Sequence, residues 1–136
     1  VSKGKNKTAI VIDDNAATRE TLRHILRSID IDVIREFNDS DGAVAALEVL
    51  MPHYAFIDIN MPNLSGFDIL KKLNERHHNI LVFIITGSPS LEHVQQAIQH
   101  GASGFVVKPF NIKNILQNIN KAQDVIQRTQ SKYDLW

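Results

Sequence analysis

The chain has 136 residues, 43% of them hydrophobic and 22% charged, with 15 acidic against 15 basic residues. This is the size of one compact domain with enough apolar material for a core, and the even charge balance gives no electrostatic case for nucleic acid, whose binding domains carry a basic excess. Cysteine is absent, which removes disulfides, thiolate metal sites and thiol nucleophiles. No apolar run approaches the roughly 18 residues of a membrane helix, and the polar, basic Val1–Lys7 is not followed by the apolar stretch of a signal peptide, so a cytoplasmic location is expected.

Val1–Lys7 reads as a flexible tail. Thr8–Ile12 is an apolar run that predicts a first strand ending on Asp13-Asp14. Asn15 or Asp14 can cap the helix that follows, over about Ala16–Ser28, with Leu22, Ile25, Leu26 and Ile29 at helical spacing. Ile31–Phe37 alternates poorly but reads as a second strand. Asp39–Asp41 begins a second helix carrying Val44, Leu47 and Leu50, which Pro52 ends. Ala55–Ile59 predicts a buried third strand with one carboxylate, Asp58, near its end, then Asn60 and a stop at Pro62. A third helix places Phe67, Leu70 and Leu73 on one side. Ile80–Ile85 is apolar throughout, as expected of a strand covered on both faces. It runs into Thr86 and is broken by Gly87-Ser88-Pro89. A fourth helix has Leu91, Val94, Ala97 and Ile98 inward and closes at Gly101. Gly104–Val107 is the fifth strand, ending on Lys108-Pro109, and the last helix starts near Asn111.

Strand and helix alternate five times, which predicts an α/β fold with a doubly wound parallel sheet and helices on both faces. No internal repeat or second domain is visible. In such sheets ligands bind at the carboxyl ends of the strands. Asp13 and Asp14 stand there after strand one, Asp58 after strand three, Thr86 after strand four and Lys108 after strand five. Three carboxylates in one crevice cannot all stay ionised unpaired. A divalent cation resolves the conflict, and a few carboxylates completed by waters and a phosphoryl oxygen suit Mg2+ better than Ca2+. The Asn60 carbonyl is a further candidate ligand. Asp58 is the best nucleophile, able to form an aspartyl phosphate, with Lys108, Thr86 and the cation neutralising phosphoryl oxygens. Each residue alone has an ordinary explanation: a helix cap, a strand-end hydroxyl, a solvated lysine, a turn acid. Their meeting at one sheet edge argues for a site.

Four segments carry a resemblance: I-V-I-D-D-N at 10–15, D-I-N-M-P-N-L-S-G at 58–66, I-I-T-G at 84–87 and G-A-S-G-F-V-V-K-P-F at 101–110. Together they resemble the receiver domain of bacterial two-component response regulators, especially single-domain chemotaxis regulators, over about Lys7 to Gln127. The resemblance implies a flavodoxin-like sheet of order 2-1-3-4-5, an order carried over from chemotaxis regulators and not read from these strands. It implies a tail over 1–7, a receiver domain over 8–127, and a helix extension or linker start over 128–136. Asp58 would take a phosphoryl group from a sensor histidine kinase or phosphotransfer protein, with Mg2+ held by Asp13, Asp14, Asp58 and the Asn60 carbonyl. Thr86 and Lys108 would contact the phosphoryl group. Phe105 matches the switch aromatic, often a tyrosine, that turns inward as the threonine moves. The surface of the fourth helix, fifth strand and fifth helix would then signal to a downstream protein or an output domain. Asn60 and Ser88 occupy positions that tune dephosphorylation by water. The chain would not be an enzyme beyond self-phosphorylation and slow self-dephosphorylation.

Other readings compete. A haloacid-dehalogenase-type phosphohydrolase also uses strand-end Asp, Thr, Lys and magnesium, but its nucleophile follows the first strand with a second Asp two residues on, where this chain has Asn15. Turnover of a phosphate ester discriminates. A docking-only pseudo-receiver needs no such complete site, and no Gly-rich loop supports a nucleotide or flavin. The six histidines, His24, His53, His77, His78, His93 and His100, lie in no kinase phosphoacceptor motif, and His93 and His100 read as an exposed pair. Ile112, Ile115, Ile119, Ala122, Ile126, Thr129, Tyr133 and Trp136 form a heptad-like stripe whose first half should pack on the sheet. The second half either protrudes, dimerising or leading into an output domain, or is a frayed tail whose apolar residues fold back on the domain; the fourth-helix surface is the other candidate dimer face. The Val1 start and the Y-D-L-W end suggest a piece of a longer protein.

Overall fold

The computed structural model describes residues 6–61, 63–76 and 79–134, with side chains as far as residue 128. Most of the tail, Pro62, His77, His78 and Trp136, and the side chains of Thr129 and Tyr133, lie outside the described residues. The elements are β1 Lys7–Ile12, α1 Ala16–Ser28, β2 Ile31–Phe37, α2 Ala43–Leu50, β3 Tyr54–Asp58, α3 Gly66–Glu75, β4 Leu81–Thr86, α4 Leu91–Gln99, β5 Gly104–Val107 and α5 Ile112–Asp134. All strand pairs are parallel, in the order β2-β1-β3-β4-β5. This is the expected flavodoxin-like sheet. Among the described residues, no helix is long and apolar enough to cross a membrane.

The central strands are apolar at every position because alternate side chains enter two different cores. Ile10, Ile12, Ala55, Ile57, Val82 and Ile84 face α2, α3 and α4. Ala9, Val11, Tyr54, Phe56, Phe83 and Ile85 face α1 and α5. Helix α1 starts at an Asn15 cap, whose side chain accepts from the Thr18 N–H at 3.0 Å. On α5 the stripe is buried at Ile115, Ile119 and Ala122; past these Val125 is 60% exposed and Ile126 is also exposed.

Three local expectations are corrected. Helix α2 begins at Ala43, not at Asp39–Asp41: Asp39 turns back to accept the Asp41 N–H, and Gly42 enters the left-handed region at φ 75°. It buries Ala43 and Leu47 while Leu50 is 41% exposed. On α3 the expected Phe67, Leu70 and Leu73 do face the core, and Ile69 joins them fully buried. Helix α4 turns Ala97 inward as expected, with Val94 half-buried, but Leu91 and Ile98 are 74% and 71% exposed. The Phe67 ring packs at 5.8 Å from that of His93, so His93 and Ala97, four residues apart, form the inner face. His93 and His100 are both half-buried, not an exposed pair. Strands β3 and β4 sit one residue off their expected bounds, which makes Asp58 and Thr86 their terminal residues.

Candidate functional site

Parallel pairing brings the strand ends together. Ile12 of β1 is level with Ile57 of β3, and Asp58 is level with Ile85 of β4. The residues just beyond therefore share one edge. Asp13, Asp14 and Asp58 each offer a carboxylate oxygen, and these lie within 4.8 Å of one another. Asp13 and Asp58 are buried and Asp14 is exposed.

Each buried carboxylate is held by an amide two residues on, as aspartate does in turns. Asp13 Oδ1 accepts from the Asn15 N–H at 2.8 Å, and Asp58 Oδ1 accepts from the Asn60 N–H at 3.1 Å. The second oxygens face Lys108, whose Nζ lies 3.0 Å from Asp13 Oδ2 and 3.3 Å from Asp58 Oδ2. Asp13 Oδ2 receives no well-aligned hydrogen bond, and the ammonium is its ion-pair partner. Thr86 is buried, and its Oγ1 accepts from the Ser88 N–H at 3.0 Å. The arrangement thus gathers Asp13, Asp14, Asp58 and Lys108, with Thr86 at the end of the adjoining strand. Asn60 and Ser88 are exposed beside it. Phe105 is half-buried on β5, packed against the α2–α4 core, with its N–H donating to Asn118 Oδ1 at 3.2 Å. A groove of about 440 Å³ lies next to Lys108, walled by Ala17, Thr18, Thr21, Gly87, Pro109 and Phe110.

Burial raises the Asp58 carboxyl above its ordinary value of 3.8, and the Asp13 charge raises it further, against the Asn60 N–H and Lys108. Burial alone would lower Lys108, but the close negative charge of Asp13, joined by Asp58, holds it above its usual value. Two buried acids against one lysine leave the site short of positive charge. The native state then holds the Asp58 proton more tightly than the unfolded chain. Protein in EDTA should lose stability as pH rises from 3.8 through the raised value. Asp58→Asn should remove that loss and be more stable at neutral pH by about 0.5–2 kcal/mol, as when a functional-site liability is removed. Urea denaturation at pH 4 and 7 checks this; a destabilised Asp58→Asn would contradict it.

Three supporting residues escaped the sequence reading. Arg19 donates from Nη1 to the Asp13 carbonyl at 2.7 Å. Buried Ser40 accepts the Leu64 N–H at 2.9 Å, tying the loop after β2 to the loop after β3. Gly66 stands where any Cβ would lie 2.4 Å from the Asp58 carbonyl oxygen. Gly66 closes the 58–66 segment, which is the one signal that could have found it; for Arg19 and Ser40 no local signal exists.

The fold and site define an α/β domain of flavodoxin-like topology with an acid cluster and a lysine at the carboxyl edge of its sheet. The chain belongs to the response regulator receiver domain family, which it matches over residues 9–120. It is 28% identical over 116 residues to the DNA-binding transcriptional activator EvgA of Escherichia coli K12, covering 85% of this chain and 57% of EvgA. The chain thus spans little more than half the length of that relative. It is also 28% identical to chemotaxis protein CheY-3 of Vibrio cholerae, over 86% of this chain and 92% of CheY-3. Among solved structures, the CheX-CheY-BeF3-Mg+2 complex from Borrelia burgdorferi contains a chain 25% identical to this one, with a TM-score of 0.78 over 83% of this chain and 86% of that one.

Proposed function

We propose that Asp58 is the phosphoacceptor of a phosphorelay and that its modification switches the α4-β5-α5 surface. The observation that carries this reading is the convergence of three carboxylate oxygens within 4.8 Å with Lys108 against two of them. Hard oxygen donors, one of them a buried Oδ2 without a hydrogen bond, fit Mg2+, which Asp13, Asp14, Asp58 and the Asn60 carbonyl would hold. Bound there, the ion would neutralise charge on the transferring group. The donor is the phosphohistidine of a sensor kinase or phosphotransfer protein. An Asp58 carboxylate oxygen attacks phosphorus; the O–P bond forms as the N–P bond breaks, and the electron pair stays on the imidazole. Asp58 gives up its charge to the acyl phosphate, so the Lys108 ammonium turns from the carboxylate to a phosphoryl oxygen. The Thr86 hydroxyl already accepts from Ser88, so its proton serves a phosphoryl oxygen.

Movement of Thr86 reaches β5 and α4, where Phe105 is half-buried and Ala97 is the single buried residue of the helix. Such lightly anchored packing suits a two-state element that a few charge-assisted contacts can bias. The exposed Leu91 and Ile98 then supply apolar contact for a downstream protein or an output domain. Asn60 and Ser88, exposed beside the acyl phosphate, set the access of water.

The test is intact mass after incubation with acetyl phosphate, with and without Mg2+, for wild type and Asp58→Asn. One added phosphoryl group that requires both Mg2+ and Asp58 is expected, with beryllofluoride binding as the readout if the acyl phosphate is short-lived. An adduct that persists in Asp58→Asn, or neither adduct nor beryllofluoride binding in wild type, overturns the reading. Steady turnover of a phosphate ester would instead mark a phosphohydrolase.

A further inference from the structure

We propose that Arg19 is a positioning residue for the cation site, acting through the main chain of Asp13; this rests on the reading of that site given above. Asp13 is fully buried one residue past β1, where sheet pairing ends. Its N–H still reaches the Phe37 carbonyl of β2 at 3.0 Å. Its Oδ1 takes the Asn15 N–H at 2.8 Å. Its carbonyl has left the sheet, and a buried carbonyl without a donor is costly. Arg19 Nη1, one turn into α1, supplies that donor at 2.7 Å. With N–H, carbonyl and Oδ1 all engaged, only Oδ2 is left to face the carboxylate cluster.

The guanidinium is itself held. Glu36 of β2 lies 3.5 Å from Arg19 Nε, and the same carboxylate receives Arg23 Nη1 at 2.6 Å. Arg19 therefore uses two nitrogens for two tasks, one on Glu36 and one on Asp13. Lys108 contacts the carboxylate oxygens themselves, whereas Arg19 contacts only the carbonyl, so it fixes the residue without occupying the oxygen a cation would need. Glu36 offsets its positive charge.

The competing view is that Arg19 only staples α1 to β2. The two views differ in sign. On Coulomb grounds, deleting a positive charge beside the acids should tighten binding of a divalent cation. Loss of positioning should weaken it, by about tenfold, at the low end of what removing a group that supports a metal ligand costs. Mg2+ is titrated into the 15N-labelled full chain and followed at the amides around Asp13 and Asp58, for wild type, Arg19→Met and Arg23→Met. Arg23→Met breaks the shorter ion pair with Glu36 and leaves the Asp13 carbonyl served. The expected result is weaker Mg2+ binding in Arg19→Met and unchanged binding in Arg23→Met. Equal or tighter binding in Arg19→Met, or equal weakening in both variants, overturns the proposal. If Arg19→Met does not fold, Arg19→Lys replaces it: lysine keeps the charge but lacks the planar fork that lets Nε face Glu36 while Nη1 reaches the Asp13 carbonyl, and the same weakening is expected. Wild type that binds no Mg2+ sinks the cation reading and this proposal with it, whereas a failure confined to the variants sinks this proposal alone.

Discussion

Replacing Phe83 with alanine is expected to lower stability by about 3–5 kcal/mol, the cost of deleting a large buried aromatic. Phe83 sits fully buried in the middle of β4. It is level with Phe56 of β3, and the two rings stack at 5.0 Å and 19°. Tyr54 packs tilted against it at 6.2 Å. On the other side the ring lies against β5, where a Cβ on Gly104 would come within 2.7 Å of Phe83 Cδ1. One side chain thus packs against residues of both neighbouring strands. Urea denaturation should show a lower midpoint with an unchanged slope, since the surface exposed on unfolding hardly changes. Phe83→Leu keeps most of the volume and should cost less than about 1.5 kcal/mol. A loss below about 1 kcal/mol for Phe83→Ala would mean that the site collapses, against the close packing expected of such cores.

The layout of the fold was legible because a doubly covered parallel sheet needs strands that are apolar at every position. Ile10–Ile12, Tyr54–Ile57 and Val82–Ile85 are such runs, and each is now seen to feed two cores. The gathering of Asp13, Asp58 and Lys108 was legible for a related reason. Parallel strands put all their carboxyl ends on one edge, so a polar residue at the end of each apolar run is placed by topology alone. Helix α4 was not legible. Leu91, Val94, Ala97 and Ile98 make a good apolar stripe, yet only Ala97 and the half-buried Val94 turn inward, while His93 packs beside the Phe67 ring from another element. The start of α2 hinged on the left-handed Gly42. Arg19 and Gly66 serve Asp13 and Asp58 through backbone atoms of other elements, a relation that no local spacing encodes.

Gly66→Ala is expected to damage both the fold and the phosphorylation of Asp58. A Cβ at this position would stand 2.4 Å from the Asp58 carbonyl oxygen, 2.9 Å from its carbon and 3.1 Å from Ile57 Cγ2. Two of these atoms are sheet backbone and cannot swing aside. The approach is enforced from both ends. The Gly66 N–H donates to the Ile59 carbonyl at 3.1 Å, and Ser65 caps α3 reciprocally with Asp68. Alanine in a helix interior gains up to about 1 kcal/mol over glycine, but overpacking typically costs about 1–3 kcal/mol and here meets backbone, so a net loss is expected. The relief available is for α3 and the end of β3 to part, which moves the Asp58 peptide. A misplacement of order 1 Å can cost about 10²-fold in rate, so adduct formation from acetyl phosphate should slow by roughly 10- to 100-fold. Gly101→Ala is the control. Its φ of +88° makes alanine strained, yet its nearest neighbour is the end of the Asn74 side chain, at 2.8 Å, away from the acids. It should lose about 1 kcal/mol through the backbone and keep its phosphorylation rate. If Gly66→Ala lost stability and kept its rate as well, the carboxylate would be held by Asn60 and Lys108 independently of its own peptide. Slowing in Gly66→Ala alone would instead place the start of α3 among the elements that aim Asp58.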